Sequence, residues 1–185
     1  ALTLLAEESK RLNGELKTLT KGKVQRATQR ARMLKWFASK GLMLDDSTAV
    51  TLDDALGDTT RILSSQVRRG LEIVRALGRS STAKYETMRN WICPDSRAHG
   101  GLLYHGASTG RWTGAGIQPH NFVKGDIKDM SETWDILLTN PAAFPNLMET
   151  LSHALRGTIV PSLGKQLYVA DFASRYSADE VLQYL

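Results

Sequence analysis

Cysteine is nearly missing from this sequence, in which Cys93 is the single cysteine among 185 residues. One cysteine can form no internal disulfide, and we expect no cysteine-based zinc site, which fits a reducing compartment. Long apolar runs are missing too: none approaches the roughly 20 residues of a membrane span. The segment Ala1–Leu5 is too short for the core of a signal peptide. We therefore expect a cytoplasmic protein without a membrane partner.

Acidic residues are too few to balance the basic ones, and the imbalance is uneven. Residues 1–100 hold 18 Lys and Arg against 11 Asp and Glu, whereas residues 101–185 hold 6 against 8. This asymmetry suggests a basic half that binds a polyanion beside a site that needs carboxylates. No acid occurs between Lys17 and Gly41. A solvated helix face is the commoner meaning of such a run, but its length favours contact with a phosphate backbone.

Apolar residues recur at helical spacing through the first 92 residues, and the pattern becomes mixed after Pro94. We predict an α+β fold, with a strand within residues 97–105 and a β-hairpin that joins Thr158–Val160 to Gln166–Asp171. Caps and apolar spacing predict helices over residues 1–19, 24–40 (ending at Gly41), a short one from 51, 58–77 (capped by Asp58–Thr60), 80–92, 126–140 and 146–156.

A glycine-rich loop runs from Tyr104 to Asn121, with a glycine every two to four residues in its middle. Each glycine costs about 1 kcal/mol inside a helix, and a core strand needs side chains to pack. The loop also carries a guanidinium, an indole and two carboxamides, the groups that hydrogen-bond or stack on nucleic acids. From these residues alone, a structural surface loop and a ligand-binding loop are equally good interpretations.

Asp171 ends an apolar run, Leu167–Ala170, that we expect to be a buried strand. A carboxylate in such a place is costly unless it is paired, hydrogen-bonded or bound to a metal. Phosphoryl-transfer sites use such acids to hold Mg²⁺. Taken alone, a solvent-exposed aspartate that ends a strand is the more frequent case.

Two segments of the glycine-rich loop, Thr109-Gly-Arg-Trp112 and Gln118-Pro-His-Asn121, resemble the Thr-Gly-Arg…Gln-x-x-Asn segment of family A DNA polymerases, especially the bacteriophage type. The resembling segments follow the family's order from about Val67 to Ser174. Those that resemble its thumb and the approach to its motif A are Glu72-Ile-Val-Arg75, Ser80-Ser-Thr-Ala-Lys-Tyr85, Ala154-Leu-Arg-Gly-Thr-Ile-Val-Pro161 and Gly164-Lys-Gln-Leu-Tyr-Val-Ala-Asp-Phe172.

The resemblance implies a helical thumb over residues 1–92 and a partial palm with a small antiparallel sheet over residues 93–185. It implies a DNA-directed DNA polymerase of DNA replication, which adds deoxynucleotides from their triphosphates to the primer 3′ end of a primer–template, in the host cytoplasm if the protein is viral. Asp171 and the Phe172 carbonyl would bind the catalytic Mg²⁺. The residues implied to contact DNA are Arg111 in the minor groove at the primer terminus, Gln118 and Asn121 nearby, and Arg75, Arg79 and Lys84 on phosphates.

The chain departs from the family after Asp171-Phe-Ala, where the glutamate that excludes ribonucleotides and the following arginine are not in place. The fingers residues and the second catalytic aspartate are not found before Leu185, and two-metal chemistry needs both acids. We therefore expect the 185-residue chain alone to be inactive, completed by more chain or another subunit. Two alternatives stay open: a non-catalytic nucleic-acid-binding module, and a single-subunit RNA polymerase relative, which Thr-Gly-Arg-Trp disfavours. We expect none of the scattered residues His99, His105, His120 and His153 to bind a metal.

Overall fold

The computed structural model describes residues 1–166 and Tyr168, and it confirms the α+β class. Helices dominate this part of the chain, and a two-stranded antiparallel sheet lies between them. Short 3₁₀ segments cover Ser80–Ala83, Pro119–Asn121, Pro141–Ala143 and Ala154–Thr158. The main elements are α1 (Leu2–Leu19), α2 (Arg30–Ala38), α3 (Ala49–Gly57), α4 (Ser65–Leu77), α5 (Lys84–Trp91), β1 (Leu102–Leu103), β2 (Thr113–Gly114), α6 (Met130–Thr139) and α7 (Leu147–His153).

The predicted first helix is confirmed as α1, but α2 begins later than the predicted helix over 24–40. The N–H of Val24 donates to Thr20 Oγ1 at 3.1 Å, and the N–H of Gln25 donates to Gln29 Oε1 at 2.9 Å. Side-chain oxygens thus take the place of the helical carbonyl acceptors, so this segment forms turns. The helix ends at Ala38, three residues before Gly41, which adopts a φ of +84°.

The starts of α3 and α4 also differ from those predicted, because other hydroxyl residues cap them. Thr48 Oγ1 accepts from the Thr51 N–H, so α3 begins at Ala49. Ser64 Oγ accepts from the Val67 N–H at 3.3 Å, so α4 begins at Ser65. Asp58, the predicted cap, instead accepts from the Thr60 N–H at 2.9 Å in a local turn. The predicted end of α4 at Leu77, before Gly78, is confirmed.

The core is built around α4, which packs against α1, α3 and α7. Leu71 and Ile73 of α4 are fully buried with Leu16 of α1. Gly70 lets α2 approach closely, since a Cβ there would lie 2.9 Å from the Trp36 ring. Burying an aliphatic side chain of this size contributes about 1.5–3 kcal/mol, so this contact region contributes much of the stability.

Residues from beyond position 93 enter the same core. The Tyr85 hydroxyl of α5 donates to the Leu151 carbonyl of α7 at 2.7 Å, and the hydroxyls of Ser81 and Ser152 lie 2.5 Å apart. The division into 1–92 and 93–185 stays a prediction, and the apolar packing is continuous across it. The later members of the core are Phe122, Leu137, Leu147, Met148, Leu151, Ala154 and Leu155.

The small sheet pairs Leu102 with Gly114 and Leu103 with Thr113. The strand predicted within residues 97–105 is therefore confirmed, and its partner lies in the glycine-rich loop. The helices predicted over 126–140 and 146–156 are present as α6, which begins after its cap Asp129, and as α7 with the 3₁₀ segment behind it.

The first arm of the predicted β-hairpin is wrong. The 3₁₀ segment that follows α7 runs to Thr158, whose hydroxyl donates to the Leu155 carbonyl at 2.6 Å, and residues 159–166 form no strand. The second arm lies mostly outside the described residues.

The longest helix of the described residues, α1, carries charged side chains along its length. None of the helices described combines the length and the apolar character needed to cross a bilayer.

Candidate nucleic-acid interface

Three of the residues that the sequence assigns to DNA meet at one corner of the molecule. Lys84, the first residue of α5, donates from Nζ to Gln118 Oε1 at 3.2 Å. Asn121 Nδ2 donates to the same oxygen at 3.3 Å, and Gln118 Nε2 donates to the Gly114 carbonyl of β2 at 2.9 Å. We call Lys84, Gln118 and Asn121 the polar corner. It presents an ammonium and two carboxamides, groups that hydrogen-bond phosphates and base edges.

The backbone of the glycine-rich loop explains why the sequence folds this way at the corner. Gln118 has a left-handed backbone with a φ of +49°, and the 3₁₀ segment Pro119–Asn121 follows it. A Cβ at Gly114 would overlap the His120 ring and approach Gln118 Cγ at 3.1 Å. Gly114 is thus required by the internal packing of the loop, which supports the structural interpretation at this position, and ligand binding by the loop stays a prediction.

Arg111 lies on the same loop, in the stretch that leads into β2, and is exposed. Its carbonyl accepts from the Ala107 N–H at 3.2 Å, which closes the turn before it. The neighbouring Trp112 is 61% exposed and meets the Tyr104 ring edge to face, with ring centroids 5.1 Å apart. An exposed guanidinium beside exposed aromatic rings provides charge and stacking surface for a nucleic acid. The described contacts do not join Arg111 to the polar corner.

Arg75 and Arg79 are held in ion pairs with protein acids. Arg75 donates to both carboxylate oxygens of Asp53, at 2.7 and 2.8 Å. The hydrogen bond from Arg75 lowers the pKa of Asp53 below its ordinary value of 3.8. Arg79 Nη2 lies 2.5 Å from Glu149 Oε1, and its side chain is only 17% exposed. A phosphate contact from either arginine has to use donors that the carboxylate leaves over, so their DNA contact stays a prediction.

A second group of cations lies on and before α2, namely Arg26, Arg30, Arg32 and Lys35, which we call the basic stretch. All four are exposed. None takes part in the ion pairs found among residues 1–166. Their charges are thus available to a phosphate backbone, as the acid-poor run of the sequence predicts.

The predicted metal ligands Asp171 and Phe172 lie outside the described residues. Sequence reasoning missed a different group, Cys93, Asp95 and His99, which the turn after α5 brings together. His99 Nε2 lies 2.8 Å from Asp95 Oδ2, and this contact, followed by the Arg97 N–H, lowers the pKa of Asp95 below 3.8. The signal in the sequence is Cys-x-Asp-x-x-x-His, which a search for cysteine pairs overlooks.

Comparison with known proteins adds one similarity. A DNA polymerase of Bacillus phage SP02 is 29% identical to the chain over an aligned length of 150 residues, and the match covers 78% of this chain and 23% of that protein. The chain therefore spans about a quarter of the length of the relative that it matches. The similarity supports a relationship to DNA polymerases. No protein-family model and no solved structure matches the chain.

Proposed function

We propose that the chain is the thumb and first part of the palm of a bacteriophage-type family A DNA polymerase. The whole protein would add deoxynucleotides to a primer 3′ end under the direction of a template. The observation that carries this proposal is the polar corner: Lys84 lies 34 residues before Gln118 in the sequence, yet it meets Gln118 and the nearby Asn121 in space, and all three were assigned to DNA together. The similarity to a phage DNA polymerase supports the same conclusion.

In this proposal the loop monitors the newly formed duplex. Minor-groove acceptors are shared by all base pairs, so Arg111, Gln118 and Asn121 would sense pairing geometry rather than base identity. Lys84 would neutralise a phosphate near the same place. The basic stretch would add sequence-independent attraction to the duplex backbone, with Arg75 and Arg79 as weaker contacts because each already binds a carboxylate.

The chemical step would depend on Asp171. Its carboxylate and the Phe172 carbonyl are oxygen ligands, the type that Mg²⁺ prefers. Bound Mg²⁺ would stabilise the charge that develops on the transferred phosphate. The second acid and the fingers would come from more chain or another subunit, so the 185-residue chain alone would bind DNA without extending it.

The polar corner is tested by the binding of a fluorescent primer–template, measured by anisotropy over a range of salt concentrations. We expect Lys84→Gln to weaken binding. The negative slope of log K against log salt should become shallower by about 0.9, the value for one lost phosphate contact. Lys10→Gln, which removes an exposed lysine from α1, is the matched control and should leave the slope unchanged. Equal slopes for the two variants would contradict the proposal.

The catalytic part is tested by primer extension. We expect no extension by the isolated chain freed of host polymerase, and extension once the remaining polymerase is supplied. In that complete form, Asp171→Asn should abolish extension and leave duplex binding intact, and Arg111→Ala should slow extension most after a mispair. Extension by the isolated chain that disappears in Asp171→Asn would show that a second acid already lies within these residues.

A further inference from the structure

We propose that Cys93, Asp95 and His99 form a zinc-binding site in the turn between α5 and β1. Each residue offers one ligand atom: the thiol sulfur, a carboxylate oxygen and an imidazole nitrogen. These three atoms all lie within 4.8 Å of one another. The site is separate from the proposed polymerase chemistry and does not depend on it.

Backbone hydrogen bonds close the turn that carries the three ligands. The Cys93 N–H donates to the Arg97 carbonyl at 2.8 Å, and the Ser96 N–H donates to the Cys93 carbonyl at 2.9 Å. An antiparallel bridge between Ile92 and Ala98 closes the turn across its base. Because the backbone is already ordered, binding an ion does not require a flexible loop to be fixed first.

Contacts to neighbouring groups hold Asp95 and His99 in place. Asp95 Oδ1 accepts from the Arg97 N–H at 3.0 Å, which leaves Oδ2 directed at His99 Nε2, 2.8 Å away. The Trp91 indole donates from Nε1 to the His99 carbonyl at 2.8 Å. Secondary contacts of this kind orient the residues of a metal site.

Only small movements convert this arrangement into zinc coordination. Tetrahedral zinc, with bonds of about 2.0–2.3 Å, places its ligand atoms about 3.4–3.8 Å apart. The nitrogen of His99 and the oxygen of Asp95, 2.8 Å apart, therefore have to separate by less than about 1 Å, and the sulfur, within 4.8 Å of both, has to approach them by no more than about 1.4 Å. Asp95 and His99 are exposed and Cys93 is half-buried, so side-chain rotations can supply these shifts.

The donor set selects the metal. A thiolate and an imidazole suit zinc, whereas Mg²⁺ and Ca²⁺ prefer ligands that are all oxygen. Three protein ligands leave the fourth zinc position to water. Bound zinc would join the end of α5 to the residues just before β1, and so stiffen the entry to the glycine-rich loop.

The experiment is a titration of the reduced 185-residue chain with Co²⁺ and then Zn²⁺. Since Cys93 is the single cysteine, a thiolate-to-cobalt charge-transfer band reports on this site alone. We expect one Co²⁺ per chain, a band that Zn²⁺ abolishes and excess Mg²⁺ does not, and a rise in the melting temperature with Zn²⁺. Cys93→Ser should abolish the band. His99→Gln and Asp95→Asn should each weaken Zn²⁺ binding at least about tenfold.

His105→Gln is the matched control, because it removes another exposed imidazole and should leave Zn²⁺ affinity unchanged. Circular dichroism establishes that each variant is folded. A band undiminished in both His99→Gln and Asp95→Asn would reduce the site to a thiol alone and overturn the proposal. Half an ion per chain, which indicates an ion shared between two copies, would overturn it as well, and so would Zn²⁺ affinity equal in the wild type and Cys93→Ser.

Discussion

Three arginines on and just after α4, Arg69, Arg75 and Arg79, differ sharply from the cations of the basic stretch, although both groups look alike in the sequence. Arg69 donates to both carboxylate oxygens of Glu15, at 2.6 and 2.9 Å, and Arg75 does the same to Asp53. Arg79 reaches Glu149. Their partners lie on α1, α3 and α7, so Arg69 and Arg75 tie α4, and Arg79 ties the turn after it, to three different helices. The cations of the basic stretch make no such link in the described structure.

This difference separates two uses of basic charge. Cations that form ion pairs between helices hold those helices together. Exposed cations without an acidic partner are available to bind a polyanion. A count of lysines and arginines over residues 1–100 adds the two together. The excess that indicates nucleic-acid binding is therefore better assigned to the basic stretch and Lys84 than to Arg69, Arg75 and Arg79.

The largest effect should come from neutralising the basic stretch. Replacing Arg26, Arg30, Arg32 and Lys35 with glutamine should make the salt dependence of duplex binding shallower. The slope of log K against log salt should decrease in magnitude by up to about 3.6, at about 0.9 per contact. Because the four side chains are exposed, stability should change by no more than about 0.5 kcal/mol per site. Anisotropy titrations and urea denaturation measure the two quantities. A large loss of stability without a change in the salt dependence would show that these four cations stabilise the fold rather than bind DNA. The matched control neutralises four exposed lysines elsewhere, Lys10, Lys124, Lys128 and Lys165.

The next effect concerns Arg79, the most buried of the three linking arginines. Arg79→Ala should destabilise the chain by about 1–2 kcal/mol, because it removes packing and leaves Glu149 without its cation. Urea denaturation of the two single variants and of the double variant Arg79→Ala/Glu149→Ala forms a cycle. We expect the double variant to lose less stability than the two single variants lose together. Additive losses would show that packing alone accounts for the effect.

A smaller effect should appear in the pH dependence of stability. The hydrogen bond from Arg69 lowers the pKa of Glu15 below its ordinary value of 4.5. The stability that this pair contributes is therefore complete above about pH 4.5 and is lost as the pH falls through the lowered pKa. Since both side chains are partly exposed, we expect about 1 kcal/mol or less. Glu15→Gln should lower the melting temperature at pH 7 and flatten its decline towards pH 3. A decline as steep as that of the wild type would assign the pH dependence to other carboxylates.

The smallest effect should come from Arg75 in DNA binding. Its guanidinium already donates twice to Asp53. Arg75→Gln should therefore reduce the magnitude of the salt slope clearly less than Arg26→Gln does. Parallel anisotropy titrations compare the two variants directly. A larger fall for Arg75→Gln would mean that the arginine exchanges its carboxylate for a phosphate when DNA binds.

Sequence reasoning predicted most helices, the position of β1 and the irregular loop, because apolar spacing and glycine density act locally. It misplaced the starts of α2 and α4, since Thr20 draws the Val24 N–H into a turn and Ser64, rather than Asp58, caps α4. It assigned Lys84, Gln118 and Asn121 to a common ligand. Only the tertiary fold brings the side-chain nitrogens of Lys84 and Asn121 to the same oxygen, Gln118 Oε1. The grouping of Cys93, Asp95 and His99 was missed because their proximity depends on how the turn closes, and Asp171 stays a prediction.

The packing of α7 against α1 and α4 has a consequence for synthesis on the ribosome. Helix α4 is complete at Leu77, but α7, which packs against it, begins at Leu147, seventy residues later. At about 5–20 residues per second, translation of that interval takes on the order of ten seconds. During this time the nascent chain displays an apolar face that its own later residues will cover. Until α7 has been made, this face is a surface that a ribosome-associated chaperone can bind.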